Sequence, residues 1–337
     1  MTHDVALLPV IWFGIVGFAV LMYVLLDGFV LGIGVLAPFA ESEAQLDLMM
    51  NTAAPIWDGN ETWLVLGGAG LLAAFPKAYA ILLSTLYLPV LMMLAALVLR
   101  GVSFEFRFKA TRSKSVWGTC FAIGSLVAAF SQGVILGAIT EGLPLKADVP
   151  LGSVFNWFSP FSILTGAAVV FGYALLGSTW LILKTEGEMQ GIAYSLTRPL
   201  VAVVIAFMVL VSTSLPFLNS QIMSRWFQSG LFLWLSPVPF CALLNAIVLW
   251  RAVMRRAEVA PFVAAICFFV LGFVGLLVGV WPNILPPSLS IWDAAAPASS
   301  QGFVMVGLVI LLPVILGYVA WSYRIFRGKV SATTSYH

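Results

Sequence analysis

The chain has 337 residues, of which 61% are hydrophobic and only 9% charged, with a formal net charge of +2 and a mean hydropathy of +1.05. A soluble domain averages roughly 25% charged residues, so these values exclude a soluble globular protein and identify an all-α integral membrane protein. The scattered bases exclude a nucleic-acid surface, and the length allows about nine spans of roughly 20 residues in a single polytopic domain, 1–337.

The opening MTHDVALLP has no Lys or Arg of the kind that begins a signal peptide, and the apolar run behind it reaches Phe39. It is predicted to stay as the first span, 8–36. Further helices are predicted at 55–75, 78–99, 116–140, 160–183, 199–218, 231–250, 260–281 and 302–324. With the N-terminus outside, 13 of the 16 bases fall on the inner side, including Arg100, Arg107, Lys114, Lys184, Arg251 and Lys329; only Lys77, Lys146 and Arg225 lie outside. Short cytoplasmic loops collect bases, so an odd number of spans with a periplasmic N-terminus and a cytoplasmic C-terminus is expected. The first inner loop breaks the rule, carrying Glu41, Glu43 and Asp47 with no base. Trp117, Trp250 and Tyr323 at one side and Trp12 and Trp281 at the other sit where an aromatic belt would.

Three acids lie within the first two apolar runs, in DGFVLGIG and PIWDGNETW. Asp27 is placed about 13 Å from the inner end of the first helix at roughly 1.5 Å per residue, where a charge costs at least about 2.5 to 3.5 kcal/mol. With no base near it in its own helix, it is expected to be at least partly protonated at neutral pH. Asp58 and Glu61, spaced i and i+3 in the first turns of the second helix, share a face. An acid at the mouth and another deeper would suit inward proton movement. Blander readings stand beside this one. Asp58 would equally stabilise a helix start by about 0.3 to 1 kcal/mol, Glu61 would be interfacial, and Asp27 would be a hydrogen-bonded acid buried between helices. Gly28, Gly32 and Gly34 read as a close-packing face. RGVSFEFRFK, with Phe104, Phe106 and Phe108 alternating with Glu105, Arg107 and Lys109, reads as a membrane-surface extension.

The chemistry that is missing narrows the field. The only histidines, His3 and His337, stand near the two ends, so no His pair can clamp a haem within the bilayer and no metal site is expected. Cys120, Cys241 and Cys267 lie in apolar runs without CxxC spacing and read as buried small hydrophobes. No nucleotide-binding or hydrolase motif occurs. The loop PNILPPSLSIWDAAAPASS, with Trp292 as an anchor, is either a docking element for another protein or a solvated linker.

DGFVLGIG, NTAAPIWDGNETWLVLGGAGLLAAFP, RGVSFEFR and SLSIWDA, in this order from Asp27 to Asp293, resemble subunit II of the cytochrome bd-type quinol oxidases, including the cyanide-insensitive branch. The resemblance implies two four-helix bundles, here 1–140 and 160–281, plus a peripheral ninth helix at 302–324. It implies a terminal oxidase of the bacterial cytoplasmic membrane that oxidises quinol and reduces O2 to water. Low-spin haem b, high-spin haem b and haem d would all reside in the partner, subunit I, leaving this chain without a cofactor of its own. A small single-helix subunit accompanies some members, and some hold a structural quinone. By the resemblance Asp58 and its neighbour Trp57 match the family's cytoplasmic proton route, and Asp27 matches the acid of its DGF motif; Glu61 completes the proton-route candidates. Arg100 and Glu105 match RGVxFEFR in a structural or electrostatic role, and Trp292 and Asp293 are interface candidates. Many members read DGFD where this chain has Val30, which puts in doubt any route needing two carboxylates in the first helix. The alternative class is a secondary transporter with a midplane site near Asp27 and Asp58, against which no convincing repeat relates the two halves.

Overall fold

The computed structural model describes residues 2–143, 145–146, 149–150, 154–228 and 236–330. Its helices are α1 (Thr2–Leu26), α2 (Gly28–Leu36), α3 (Glu43–Asn51), α4 (Trp57–Ala74), α5 (Pro76–Arg107), α6 (Lys114–Glu141), α7 (Pro160–Lys184), α8 (Gly187–Leu218), α9 (Ser220–Met223), α10 (Pro237–Met254), α11 (Ala260–Val280) and α12 (Ala298–Ile325). Two short antiparallel ribbons join helices on one side, β1 (Leu145–Lys146) with β2 (Val149–Pro150) and β3 (Asn283–Leu285) with β4 (Leu289–Ser290).

Among the described residues, eight stretches are long and apolar enough to cross a membrane: Leu7–Phe39, which joins α1 to α2, and then α5, α6, α7, α8, α10, α11 and α12. The remaining predicted helix, 55–75, is α4. Its polar start, WDGNET, keeps it out of that set, yet its 18 residues reach about 27 Å at 1.5 Å per residue, most of the apolar layer.

Three boundaries differ from expectation for identifiable reasons. α5 runs on to Arg107, because Arg100, Gly101, Phe104 and Arg107 recur at helical spacing on its buried face. The two-residue alternation of phenylalanines is incidental: Phe104 is buried and Phe106 exposed. α8 starts at Gly187 rather than 199, with Pro199 inside it and Met189, Ala193, Tyr194 and Thr197 packed inward. For the predicted helix 231–250, residues 231–235 lie outside the described residues and α10 begins at Pro237. α5 also bends at Leu86 (φ −111°, ψ 20°), where Pro89 removes one helical hydrogen bond and crowds the turn before it.

α7 lies at the centre, packed on α2, α6 and α8, with α11 beside it. Its approach to α2 is backbone on backbone: a Cβ on Gly32 would collide with the Tyr173 carbonyl, and one on Gly177 with Gly32. The glycine face thus serves packing, as the small-residue spacing indicated. Phe29 stacks on Trp180 at 4.1 Å above this contact.

Side chains from α3, α5, α6, α7, the loop between α10 and α11 and the segment after α12 lie at one end of the bundle. Arg107 pairs with Glu43 and Asp47, and Lys114 pairs with Asp47. The acidic first loop is therefore matched by bases at the end of α5 and the start of α6, which explains its departure from the charge rule. At the same end Lys184 donates to the carbonyls of Phe326 and Gly328, and Lys329 pairs with Glu258 at 2.8 Å. This is the basic end. At the other end the β3–β4 ribbon folds back, burying Leu285, Leu289 and Ile291, and the Ala296 amide donates to the Ala74 carbonyl at 2.8 Å. Of the belt candidates, Trp12 is buried and donates to the Gln301 carbonyl at 3.3 Å, and the Tyr323 hydroxyl donates to Asn60 at 3.1 Å; both serve helix contacts. The side chains of His3, Lys146 and Arg225, and all of His337, lie outside the described residues.

Candidate functional site

The polar interior is built at the junction of α1 and α2. The backbone stays helical through Asp27 (φ −88°, ψ −23°), whose amide donates to the Tyr23 carbonyl at 2.8 Å while its own carbonyl accepts from Leu31 at 2.9 Å. The preceding carbonyl, of Leu26, accepts from the Asn60 side chain of α4 at 2.7 Å, and Tyr323 of α12 holds the other end of that amide. α4 is thereby locked one turn below its start, which directs Glu61 toward α5.

Arg100 meets both acids there. Its Nη1 donates to Asp27 Oδ1 at 2.8 Å and its Nη2 to Asp27 Oδ2 at 3.2 Å, a two-pronged grip, while Nη2 also donates to Glu61 Oε1. Asp27 and Arg100 are both fully buried, whereas the Glu61 side chain keeps 29% exposure. Trp57 forms a wall: its ring stacks on Phe104 at 5.1 Å and lies 5.7 Å from the Arg100 guanidinium. The Arg100 Nε has no hydrogen-bond partner among the described residues. On the far side the Tyr23 phenol lies beside Asp27. Its oxygen accepts from Gln132 at 2.8 Å, and Gln132 in turn accepts from the Tyr173 hydroxyl at 2.7 Å.

Of the residues singled out from sequence, Asp27, Glu61, Arg100 and Trp57 converge. Asp58 does not join them. It is exposed and makes no hydrogen bond or ion pair among the described residues, one helical turn from Glu61 toward the basic end. Glu105 lies outside too, exposed and paired with Lys109 at 3.4 Å. Trp292 packs edge-on against Trp281 at 6.0 Å, and Asp293 accepts from the Ser290 hydroxyl in a tight turn; both are far along the chain fold from the cluster, beside the ribbon. Val30 is fully buried in apolar surroundings. The expectation of a base-free Asp27 considered its own helix alone, and the structure supplies Arg100 from α5.

Asn60, Tyr23, Gln132 and Tyr173 were not anticipated, and Tyr323 was read only as a belt residue. One signal for the Asp27–Arg100 pair exists in hindsight: each lies seven to nine residues before its helix ends at the same end of the bundle. It becomes visible only once α5 is extended to Arg107. With both carboxylates ionised the three groups carry one net negative charge, and one added proton neutralises them, where a stray charge costs at least about 2.5 kcal/mol.

These features define a class, a multi-pass helical membrane protein whose polar centre is a carboxylate–guanidinium–carboxylate cluster. The chain belongs to the family described as cytochrome bd terminal oxidase subunit II, whose sequence profile matches residues 8–326. It is 30% identical to the cytochrome bd ubiquinol oxidase subunit 2 of Bacillus subtilis, over 95% of this chain and 96% of that protein. Identity to the cytochrome bd-I ubiquinol oxidase subunit 2 of Escherichia coli K12 is 29%, over 97% and 96% respectively. In structure it resembles a chain of the bd oxidase from Geobacillus thermodenitrificans, with a TM-score of 0.80 at 17% identity, covering 95% of this chain and 98% of that one; this likeness establishes the fold.

Proposed function

We propose that this chain is the haem-free second subunit of a quinol-oxidising, O2-reducing terminal oxidase of the bacterial cytoplasmic membrane, and that it scaffolds subunit I and feeds it protons from the cytoplasm. The membership of the family and the relatives' quinol-oxidase names support the activity. The observation that carries the proton route is the buried Asp27–Arg100–Glu61 cluster, with exposed Asp58 one turn closer to the basic end. On this reading the basic end is cytoplasmic. Asp58 collects protons at the mouth and Glu61 and Asp27 receive them within. Trp57 closes the Arg100 side against lipid.

This chain's residues do not fit a haem, since its two histidines, His3 and His337, stand near its ends. The b haems and haem d are therefore assigned to subunit I, and no redox step is assigned here. Quinol and O2 meet the complex through that partner, and a single-helix subunit and a structural quinone are further components of the same reading. The chain is taken as two four-helix groups, 1–140 and 160–281. The ninth helix, 302–324, is peripheral, consistent with the exposure of Phe303, Val306, Val309, Ile310 and Trp321. Trp292 and Asp293 would face a partner beside the β3–β4 ribbon. With Val30 in apolar packing, the route uses one carboxylate of the first span.

The test is Asp58→Asn in a complex of full haem content, read as quinol-supported oxygen uptake. Turnover is expected to fall. Undiminished turnover removes Asp58 from the route.

A further inference from the structure

The two acids of the cluster are held very differently. Asp27 receives both prongs of Arg100 and is sealed from solvent. It also lies beside a string of oriented groups: Tyr173 donates to Gln132, Gln132 donates to Tyr23, and Tyr23, its oxygen already engaged, has its proton left for Asp27. Each member of that string spends its donor in the direction of Asp27, which favours a permanent negative charge there. Glu61 takes a single hydrogen bond from a nitrogen that Asp27 already shares. It keeps 29% exposure and stands one helical turn from exposed Asp58. The other ionisable groups facing the cluster are Asp58 of α4, Tyr23 of α1, Tyr173 of α7 and Tyr323 of α12.

Resting on the proton-route reading above, we infer that Glu61 is the group in this chain that takes up and releases the transported proton, while Asp27 is the fixed counter-charge of Arg100. In the loading step a proton arriving by way of Asp58 bonds to a Glu61 carboxylate oxygen. The Arg100–Glu61 ion pair becomes a neutral-acceptor hydrogen bond, and the cluster passes from one net negative charge to none. In the unloading step the same proton leaves Glu61 for an acceptor beyond this chain, and the ion pair to Arg100 re-forms. One proton enters and one leaves. Asp27 stays ionised and Tyr23, Gln132 and Tyr173 keep their protons throughout, so the tyrosine–glutamine string positions Asp27 and carries nothing.

The test uses the intact oxidase complex and infrared difference spectra of the protonated-carboxyl stretch. Complexes are grown on glutamate or on aspartate carrying 13C in the side-chain carboxyl, and also carry Glu61→Gln or Asp27→Asn. The inference expects a band that moves with labelled glutamate, vanishes in Glu61→Gln, and accompanies a loss of turnover of about a hundredfold in that variant. A band that moves with labelled aspartate and survives Glu61→Gln overturns the inference while leaving the proton route standing on Asp27. Should Asp27→Asn fail to assemble, the labelled wild-type complexes decide alone. Full turnover in both variants with normal haem content overturns the route itself, and this inference with it.

Discussion

Replacing Arg100 with methionine, which keeps an unbranched apolar stem but has no guanidinium and no charge, strands Asp27 in the membrane interior. Arg100 gives Asp27 two hydrogen bonds, at 2.8 and 3.2 Å, with both side chains fully buried. Removing one partner of a buried ion pair costs about 3 to 5 kcal/mol, because the remaining charge is left uncompensated. Glu61 is partly exposed, so its share is small. Arg100→Met should therefore lower the folded-to-unfolded ratio by roughly two to four powers of ten, at about 1.4 kcal/mol per power. The assay is the fraction of chain recovered in assembled complex after graded heating in detergent. The double variant Arg100→Met, Asp27→Asn, which leaves only the partly exposed Glu61 unpaired and no fully buried ion behind, should recover most of the loss. An Arg100→Met complex as heat-stable as wild type, or a double variant no better than the single one, refutes the reasoning.

Three further outcomes follow from other contacts. Gly32→Ala drives a methyl into the Tyr173 carbonyl of α7 and should cost about 1 to 3 kcal/mol or more, whereas Gly14→Ala, with nothing within 4 Å, should be silent in the same heating assay. The hydrogen bond from Lys329 holds the Glu258 carboxyl below the usual carboxylate range. Its support for docking the segment after α12 is thus present above the unfolded carboxylate value and lost as pH falls through the lower folded value; amide exchange at residues 326–330 should speed up in acid, and Lys329→Met should remove that pH dependence. Asn60→Leu withdraws the donor to the Leu26 carbonyl and the acceptor for Tyr323. It should destabilise the assembled complex by about 1 to 3 kcal/mol, with Tyr323→Phe milder because the Asn60–Leu26 contact remains.

The membrane class, the helix order and the two acidic motifs were legible because each is written in local composition. A run of apolar residues forces a helix where water is absent, and a lone acid within it demands a partner. The identity of that partner was not legible. Arg100 lies near the end of the predicted helix 78–99, and a base there reads as an ordinary loop charge until Gly101, Phe104 and Arg107 are seen to continue the buried face. Asp58 and Glu61 share a helix face by spacing, yet packing against α5 turns only Glu61 inward. Glu105, in the same motif as Arg100, points out to Lys109. The acidic first loop looked anomalous because its bases, Arg107 and Lys114, arrive from the facing ends of α5 and α6, about 60 residues later in the chain. Local pattern therefore located the charges, and tertiary packing decided which of them meet.

The central claim is that this subunit delivers protons to chemistry performed in its neighbour, and the rate of proton uptake by the intact complex tests it most directly. Fully reduced complexes with normal haem spectra would be exposed to O2 in the presence of a pH-sensitive dye. The account predicts that Asp58→Asn and Glu61→Gln both slow the uptake of protons from the side of the basic end while leaving haem content unchanged. Uptake at the wild-type rate in both variants would contradict it.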